Sequence, residues 1–339
     1  MKAFEIKGSF GIDALTLTER PEPRPGPGQV LVKMRAFALN YRDLLVVKGL
    51  YNPKLRLPFT PLSDGVGEIV ALGDGVARVK TGERVAGAFM QDWVDGPLTE
   101  AKAKSALGGA LAGLLAEYVV LEEEGVVPVP EYLTDEEAAT LPCAAVTAWH
   151  ALITEGGLQP GDRVLVQGTG GVSLFALQLA RLTGARVIAT SSSDEKLERA
   201  RALGATDVIN YRSQPDWDQR VRDLTGGVGV DHVVEVGGAG TLGKSLRAVR
   251  MNGHVSLIGI LTGGGGQVNP LPALMKNVRI QGIFVGSRAM FEAMNQAISL
   301  NRVRPVVDRV FPFTEAREAL WYMESAAHFG KICVRAEGV

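Results

Sequence analysis

Two regimes of hydrophobic patterning divide the chain. Up to about residue 130, apolar positions recur with a period of two, and Val30, Val32, Met34, Ala36 and Ala38 mark one face of a strand. That strand follows Pro21-Glu22-Pro23-Arg24-Pro25-Gly26-Pro27-Gly28, a segment whose prolines and glycines allow only a loop. The pattern predicts further short strands near 65–72, 84–88 and 117–121, set apart by Gly and Pro as in a small barrel or sandwich.

From 131 onward strands alternate with helices. Thr134-Asp135-Glu136-Glu137 has the form of a capping box opening a helix. An apolar strand at 163–167 runs into Gly168-Thr169-Gly170-Gly171, and an apolar helical stretch continues to Arg181. Strands are predicted near 186–190, 207–210, 232–236, 254–258 and 279–284, with helical stretches between them, for example 195–203. Such alternation implies a doubly wound parallel sheet with right-handed crossovers. Beyond about 287 the pattern predicts two helices and a last strand at 331–335, too little for a separate domain, so this segment is expected to return to the N-terminal one. The expected division is 1–130, completed by 287–339, and 131–286.

The Gly turn carries the strongest chemical signal. Gly168 permits a tight turn, Gly170 lets backbone approach a pyrophosphate, and the helix that opens there offers free N–H groups. Thr169, Gly171 and Val172 belong to the same turn, and Ser173 stands where a third glycine would be. Dinucleotide binding follows from this strand–turn–helix context. An NAD site usually places an acidic residue after the second strand, to hold the ribose. Here the strand ends in Ser191-Ser192-Ser193, and Lys196 follows. A hydrogen bond from Ser191 and the charge of Lys196 suit a 2′-phosphate, so NADPH is favoured over NADH. Ser192 with Glu195 also forms a capping box, and Asp194 and Glu195 would oppose a phosphate if they turned inward.

Composition narrows the rest. The 339 residues carry 36 Lys+Arg against 37 Asp+Glu, a formal charge of −1 that gives no bulk attraction to nucleic acid or an anionic membrane. Two cysteines, Cys143 and Cys333, can build neither a disulfide scaffold nor a four-thiolate zinc site. Met1-Lys2-Ala3-Phe4-Glu5 places charges where a signal peptide needs an apolar run, and the charge-free stretch at 251–275 holds four consecutive glycines and two prolines. A cytoplasmic protein is expected.

The β-rich N-terminal part and the Gly turn together resemble the medium-chain dehydrogenase/reductase superfamily, in its zinc-free quinone oxidoreductase and enoyl reductase branch. The stretches that carry the resemblance are Ala38-Leu39-Asn40-Tyr41-Arg42-Asp43, Gly65-Val66-Gly67-Glu68-Ile69-Val70-Ala71-Leu72-Gly73, Gly82-Glu83-Arg84-Val85, Leu141-Pro142-Cys143-Ala144-Ala145-Val146-Thr147-Ala148, the Gly168 turn, Val208-Ile209-Asn210-Tyr211 and Gly330-Lys331-Ile332. The resemblance implies a GroES-like catalytic domain built from both chain ends, with a Rossmann domain inserted. Thr147 and Val172 match positions that pack against the nicotinamide; Ser191, Lys196 and Tyr211 match those that hold a 2′-phosphate; Lys331 matches a basic position near the pyrophosphate. Gly237, Ile260 and Phe284 complete the expected cofactor set.

Zinc-dependent relatives have a catalytic ligand set and a four-cysteine lobe. By resemblance, Asn40 and Ser63 occupy the first two ligand positions and Cys143 the third, and no cysteine falls in 89–116, where the lobe would sit. Neutral Asn and Ser are poor zinc ligands, so no metal is expected and Cys143 reads as a small buried hydrophobe. His150, His232, His254 and His328 show no metal spacing. Without a Lewis acid, conjugated acceptors suffer less than simple carbonyls, because hydride addition spreads charge into an enolate or quinol anion that hydrogen-bond donors can stabilise. Asn40, Tyr41 and Tyr51 are the candidate catalytic donors. Asp43 and Asp64 near the vacated metal position read as structural hydrogen-bonding groups, and Phe89, Met90 and Trp93 as pocket lining or core.

The expected activity is metal-free, NADPH-dependent hydride transfer to a quinone, enone or related activated alkene, with a small molecule as its partner. The alternatives are an alcohol or carbonyl dehydrogenase without catalytic zinc, and an NADPH-binding protein of structural or regulatory use. The resemblance also implies a homodimer paired through the exposed sheet edge of the Rossmann domain, for which the apolar stretch 278–284 is a suitable edge strand.

Overall fold

A computed structural model describes residues 1–263 and 265–336. The chain forms two compact units, Met1–Val146 with Gly286–Val339, and Thr147–Val285. The first break thus falls at 146/147, not at the expected 130/131. The reason is local: the helix Asp135–Ala139, opened by the Thr134–Glu137 capping box, packs on the strands of the first unit.

In the first unit β1 (Lys2–Ile6) and β2 (Leu15–Glu19) form an antiparallel pair. A larger sheet contains β3 (Gln29–Ala38), β4 (Asp64–Leu72), β5 (Arg84–Gly87), β6 (Tyr118–Glu122) and β7 (Val126–Pro128). The alternation predicted for β3 is present, but Leu31 and Phe37 on its other face are buried too, because the strand is covered on both sides. One edge of β3 pairs with β4, and the opposite edge is shared by β6 and a strand from the C-terminal segment.

The second unit is a six-stranded, all-parallel sheet of β8 (Arg163–Gln167), β9 (Arg186–Ser191), β10 (Asp207–Asn210), β11 (Val230–Glu235), β12 (Val249–Leu257) and β13 (Arg279–Gly282). Their order is β10-β9-β8-β11-β12-β13, the doubly wound Rossmann order, and β13 is an edge. Leu165, Val233, Val249 and Val255 are fully buried, as both faces of a parallel sheet require. Truncating such a core Leu to Ala costs about 2–5 kcal/mol. The helix Gly171–Thr183 stops at Gly184, whose φ of 86° is the left-handed conformation that ends a helix.

The C-terminal segment adds the helix Arg288–Leu300, β14 (Val307–Pro312), the helix Ala316–Glu324 and β15 (Lys331–Arg335) to the first unit. The sequence pattern predicts the two helices and β15 but misses β14, which lies parallel to β15. β15 pairs with the end of β3 through Cys333, Val334 and Arg335. The first unit is therefore GroES-like and β-rich, the second a Rossmann sheet, and the whole an α/β protein. Among the described residues no helix is long and apolar enough to cross a membrane.

Candidate cofactor edge and buried polar cluster

In a parallel sheet every strand delivers its following loop to the same edge. Gly168 follows β8, Ser191 ends β9, Tyr211 follows β10, Gly237 follows β11, and Ile260 and Phe284 lie beyond β12 and β13. The topology therefore gathers these predicted cofactor residues at the C-terminal edge of one sheet. The strand order reverses between β8 and β11, which is where ligands of this architecture bind.

The Gly turn fits a dinucleotide phosphate. Gly168 has φ 72° and Gly170 has an extended backbone, and a Cβ at either would meet nothing within 4 Å. Gly170 caps the helix Gly171–Thr183 with no side-chain bond to it among the described residues. The amides of that first turn, including those of Gly171 and Val172, are thus available to an anion. Thr169 is buried in the turn. Ser173 explains the departure from a third glycine: its hydroxyl donates to the Gln167 carbonyl at 2.6 Å and ties the helix start to β8.

At the other side of β8, Ser191 is buried and its Oγ accepts from the Ser193 amide at 3.3 Å. The Tyr211 amide donates to the Ser191 carbonyl at 3.0 Å, and the Tyr211 ring is 42% exposed. Lys196 lies in the first turn of the helix Asp194–Ala202, whose cap is Ser193 accepting from the Lys196 amide at 3.3 Å. The cap expected at Ser192 with Glu195 is thus one residue further on. Asp194 accepts from the Asn210 side chain at 2.7 Å, an interaction that occupies the carboxylate that could oppose a phosphate. Thr147, the first residue of the second unit, is buried; Ile260 and Phe284 are exposed.

Sequence reasoning missed Glu235. Fully buried at the end of β11, it receives the Gly237 amide at 2.8 Å, the Gly238 amide at 3.0 Å and the Thr241 hydroxyl at 2.6 Å on Oε1. Its Oε2 accepts from Gln167 Nε2 at 2.8 Å and from the Ser245 hydroxyl. The available signal is a lone acid within Val233-Val234-Glu235-Val236, since a charge inside a buried strand needs partners.

The predicted donors of the first unit meet a different environment. Lys331 is buried, and its ammonium donates to the Leu39 carbonyl at 2.7 Å and to Asn40 Oδ1 at 2.6 Å, with Asp64 Oδ2 at 3.7 Å. Lys331 reaches this cluster because β15 pairs with the end of β3 and brings it beside Leu39 and Asn40. Asn40 Nδ2 faces Ser63 Oγ at 3.4 Å, and Ser63 in turn donates to Asp64 at 3.0 Å. Asp43 accepts from the Asn40 amide at 2.8 Å and Asp64 from the Cys143 amide at 3.2 Å, so both carboxylates make the structural bonds expected of them. Burial pushes Asp43 up to about 6 against the opposing pull of Arg42, and burial likewise raises Asp64 against that of Lys331. Burial drives the Cys143 thiol far above its ordinary range, with the Asp64 charge adding to the effect.

As a donor set for zinc these residues fit poorly. Asn40 Oδ1 already accepts from the Lys331 ammonium, that cation would repel a second, and neutral Asn40 and Ser63 are weak ligands beside thiolate and imidazole. Tyr41 and Tyr51 lie outside the buried cluster, 43% and 44% exposed, and the Arg42 guanidinium stands 5.0 Å over the Tyr51 ring and 4.6 Å over that of Phe89. Phe89, Met90 and Trp93 are all core.

A Rossmann edge with an open glycine turn, in one chain with a GroES-like unit carrying a buried polar cluster, defines a nicotinamide-dependent oxidoreductase. Comparison with known proteins agrees. The family models for an alcohol dehydrogenase GroES-like domain and a zinc-binding dehydrogenase match residues 26–131 and 171–300. A zinc-type alcohol dehydrogenase-like protein of Schizosaccharomyces pombe is 46% identical over 334 residues, covering 96% of each chain. Human quinone oxidoreductase is 28% identical, covering 94% of this chain and 92% of its own. Among solved structures, a candidate alcohol dehydrogenase from Sinorhizobium meliloti is 44% identical with a TM-score of 0.90, covering 99% of each chain. An NAD-dependent alcohol dehydrogenase is 35% identical with a TM-score of 0.90, covering 99% of each chain. A mycobacterial protein solved with NADPH is 28% identical with a TM-score of 0.82, again covering 99% of each. The chain belongs to the medium-chain dehydrogenase/reductase superfamily and is an oxidoreductase that uses a nicotinamide cofactor.

Proposed function

We propose that this protein is a metal-free, NADPH-dependent reductase of quinones, enones or related activated alkenes. The observation that carries the reading is the ammonium of Lys331 bonded to Asn40 and beside Asp64, with Ser63 next to Asn40, where Asn40 and Ser63 resemble two of the vacated zinc-ligand positions. The cofactor supplies a hydride when bound. Gly168 to Val172 would hold its pyrophosphate, and Ser191, Lys196 and Tyr211 its 2′-phosphate. The lack of a carboxylate at the end of β9 and the engagement of Asp194 by Asn210 support NADPH over NADH. Tyr51 and Tyr41 are the accessible phenols that can donate to the substrate oxygen as negative charge develops there. Asn40 is the buried polar neighbour that the Lys331 cation holds in place.

The test is cofactor oxidation with a panel of quinones and enones in the presence of chelator. Turnover of these acceptors, faster with NADPH than NADH, is expected. Turnover of alcohols or aldehydes alone, and only after zinc is added, would instead establish the alcohol dehydrogenase reading that the names of several relatives favour. We also propose a homodimer formed through the β13 edge, where Ile280 is exposed, as are Leu271, Leu274 and Met275 of the helix that precedes β13.

A further inference from the structure

We propose that Glu235 is a positioning residue that sets the geometry of the cofactor edge, joining the Gly168 turn and the Gly237-Gly238 turn through one carboxylate. The inference rests on the nicotinamide-binding reading of that edge. β8 and β11 are adjacent and in parallel register, so Gln167 and Glu235 end their strands side by side, each immediately before a glycine turn or one residue away from it. The two side chains interlock. Gln167 Nε2 donates to Glu235 Oε2 at 2.8 Å, and Gln167 Oε1 accepts from the Val236 amide at 3.3 Å.

Each acceptor on Glu235 has a distinct task. Oε1 collects the two amides of the Gly237-Gly238 turn and the Thr241 hydroxyl, fixing the loop after β11. Oε2 collects Gln167 and Ser245, fixing the residue before Gly168 and the helix Ala239–Ala248. The Gln167 carbonyl is fixed a second time by Ser173. Both loops that meet at the reversal of strand order are therefore anchored to one buried carboxylate. That group also lies at the N-terminus of the helix Ala239–Ala248, where free amides favour negative charge. Glu235 thereby fixes the turn that leads into this helix, whose Gly240 amide is met by the Thr262 hydroxyl at 2.9 Å, while the start at Gly170 stays open to the cofactor phosphate.

An amide in place of this carboxylate shows why the acceptor matters. In Glu235→Gln the new side-chain NH2 would face Gln167 Nε2, donor against donor, and one loop or the other must shift. Exchanging the pair, Gln167→Glu with Glu235→Gln, restores the partners. The amide oxygen now on β11 accepts from the glycine amides, and its NH2 donates to the carboxylate now on β8. That carboxylate still accepts from the Val236 amide. It also accepts from the Ser245 hydroxyl, which already meets Gln167 Nε2 at 2.7 Å in the wild type.

The experiment is calorimetric titration of NADPH and NADH into the wild type, Glu235→Gln, the exchanged pair and Thr241→Val, at a temperature well below unfolding of each. Glu235→Gln is expected to weaken cofactor binding by about 10-fold or more, the scale of one buried unsatisfied donor. The exchanged pair should recover most of that loss, and Thr241→Val should show a smaller one in the same direction. If Glu235→Gln does not fold, the exchanged pair and Thr241→Val decide the matter. Wild-type affinity in Glu235→Gln and Thr241→Val, whatever their melting temperatures, would reduce Glu235 to a stability role and overturn the proposal alone. A wild type that binds neither nucleotide would overturn the cofactor reading beneath it.

Discussion

A carboxylate at the end of the second Rossmann strand would repel a 2′-phosphate, and Ser191 stands there instead, buried, with the Tyr211 amide bonded to its carbonyl. Lys196 supplies the only full charge among the three residues proposed to hold that phosphate. Lys196→Ala is expected to raise the KM for NADPH by roughly 10- to 100-fold, the value of a charge-assisted hydrogen bond, and to leave that for NADH nearly unchanged. Initial rates with the two cofactors check this, and an equal effect on both would count against it. A second residue-scale effect concerns pH. His254 accepts from Arg279 Nε on Nδ1 at 2.9 Å and its Nε2 meets Ser256 Oγ at 3.0 Å, an arrangement that requires the neutral ring. Burial, with the Arg279 and His232 charges adding, lowers His254 to about 4, and burial lowers His232 as well in spite of Asp162. A histidine depressed in the folded state binds its proton more readily when unfolded. Its contribution is therefore complete above the ordinary value of about 6.5 and lost as pH falls toward 4. Asp43, raised to about 6, acts in the opposite sense, its contribution lost as pH rises from its ordinary value through 6. Urea midpoints measured between pH 4 and 6.5 should rise less steeply with pH, or fall, in His254→Gln. Parallel slopes in the two proteins would contradict this account.

The Gly turn separates what the fold needs from what the ligand needs. Gly168 has a left-handed backbone, so Gly168→Ala should cost about 1–2 kcal/mol of stability wherever else its methyl points. Gly170 is extended with open space above it, so Gly170→Ala should melt with the wild type yet bind cofactor at least about tenfold more weakly, because the methyl occupies the phosphate's approach. Thermal melts paired with nucleotide titrations distinguish the two; undiminished binding in Gly170→Ala would remove the phosphate from this turn. The elements themselves are largely legible in the sequence. β8, β10 and β15 have the predicted bounds: β8 is an apolar run stopped by Gly168, β10 ends in a turn at Tyr211, and β15 opens directly after Gly330. β14 escapes because Asp308 and Arg309 interrupt its alternation. The helix start near Ser191-Ser192-Ser193 slips by one because three serines offer equivalent caps. The interlock of Glu235 with Gln167 and the capture of Lys331 by Asn40 are not legible: each joins residues far apart in the chain, and their proximity follows from strand pairing alone.

At the scale of the whole molecule, β13 is an edge of its sheet flanked by apolar side chains, with Leu274 75% exposed, Met275 68% and Ile280 41%. Edges of this kind invite pairing with a second copy. Leu274→Asp combined with Ile280→Lys should yield a monomer by light scattering at micromolar concentration, with the far-ultraviolet dichroism of the wild type; a wild type already monomeric there would remove the proposed dimer.

The sharing of β3 between β6 and β15 has a consequence for synthesis. The edge of β3 that ends at Ala38 finds its partner only in residues 333–335, made after the entire inserted unit, whereas every strand of the Rossmann sheet lies within one continuous stretch of chain. On the ribosome the inserted sheet can close while its host still waits for β15. The nascent host sheet therefore carries an unpaired stretch of strand edge, open to association with neighbouring chains, until β15 emerges.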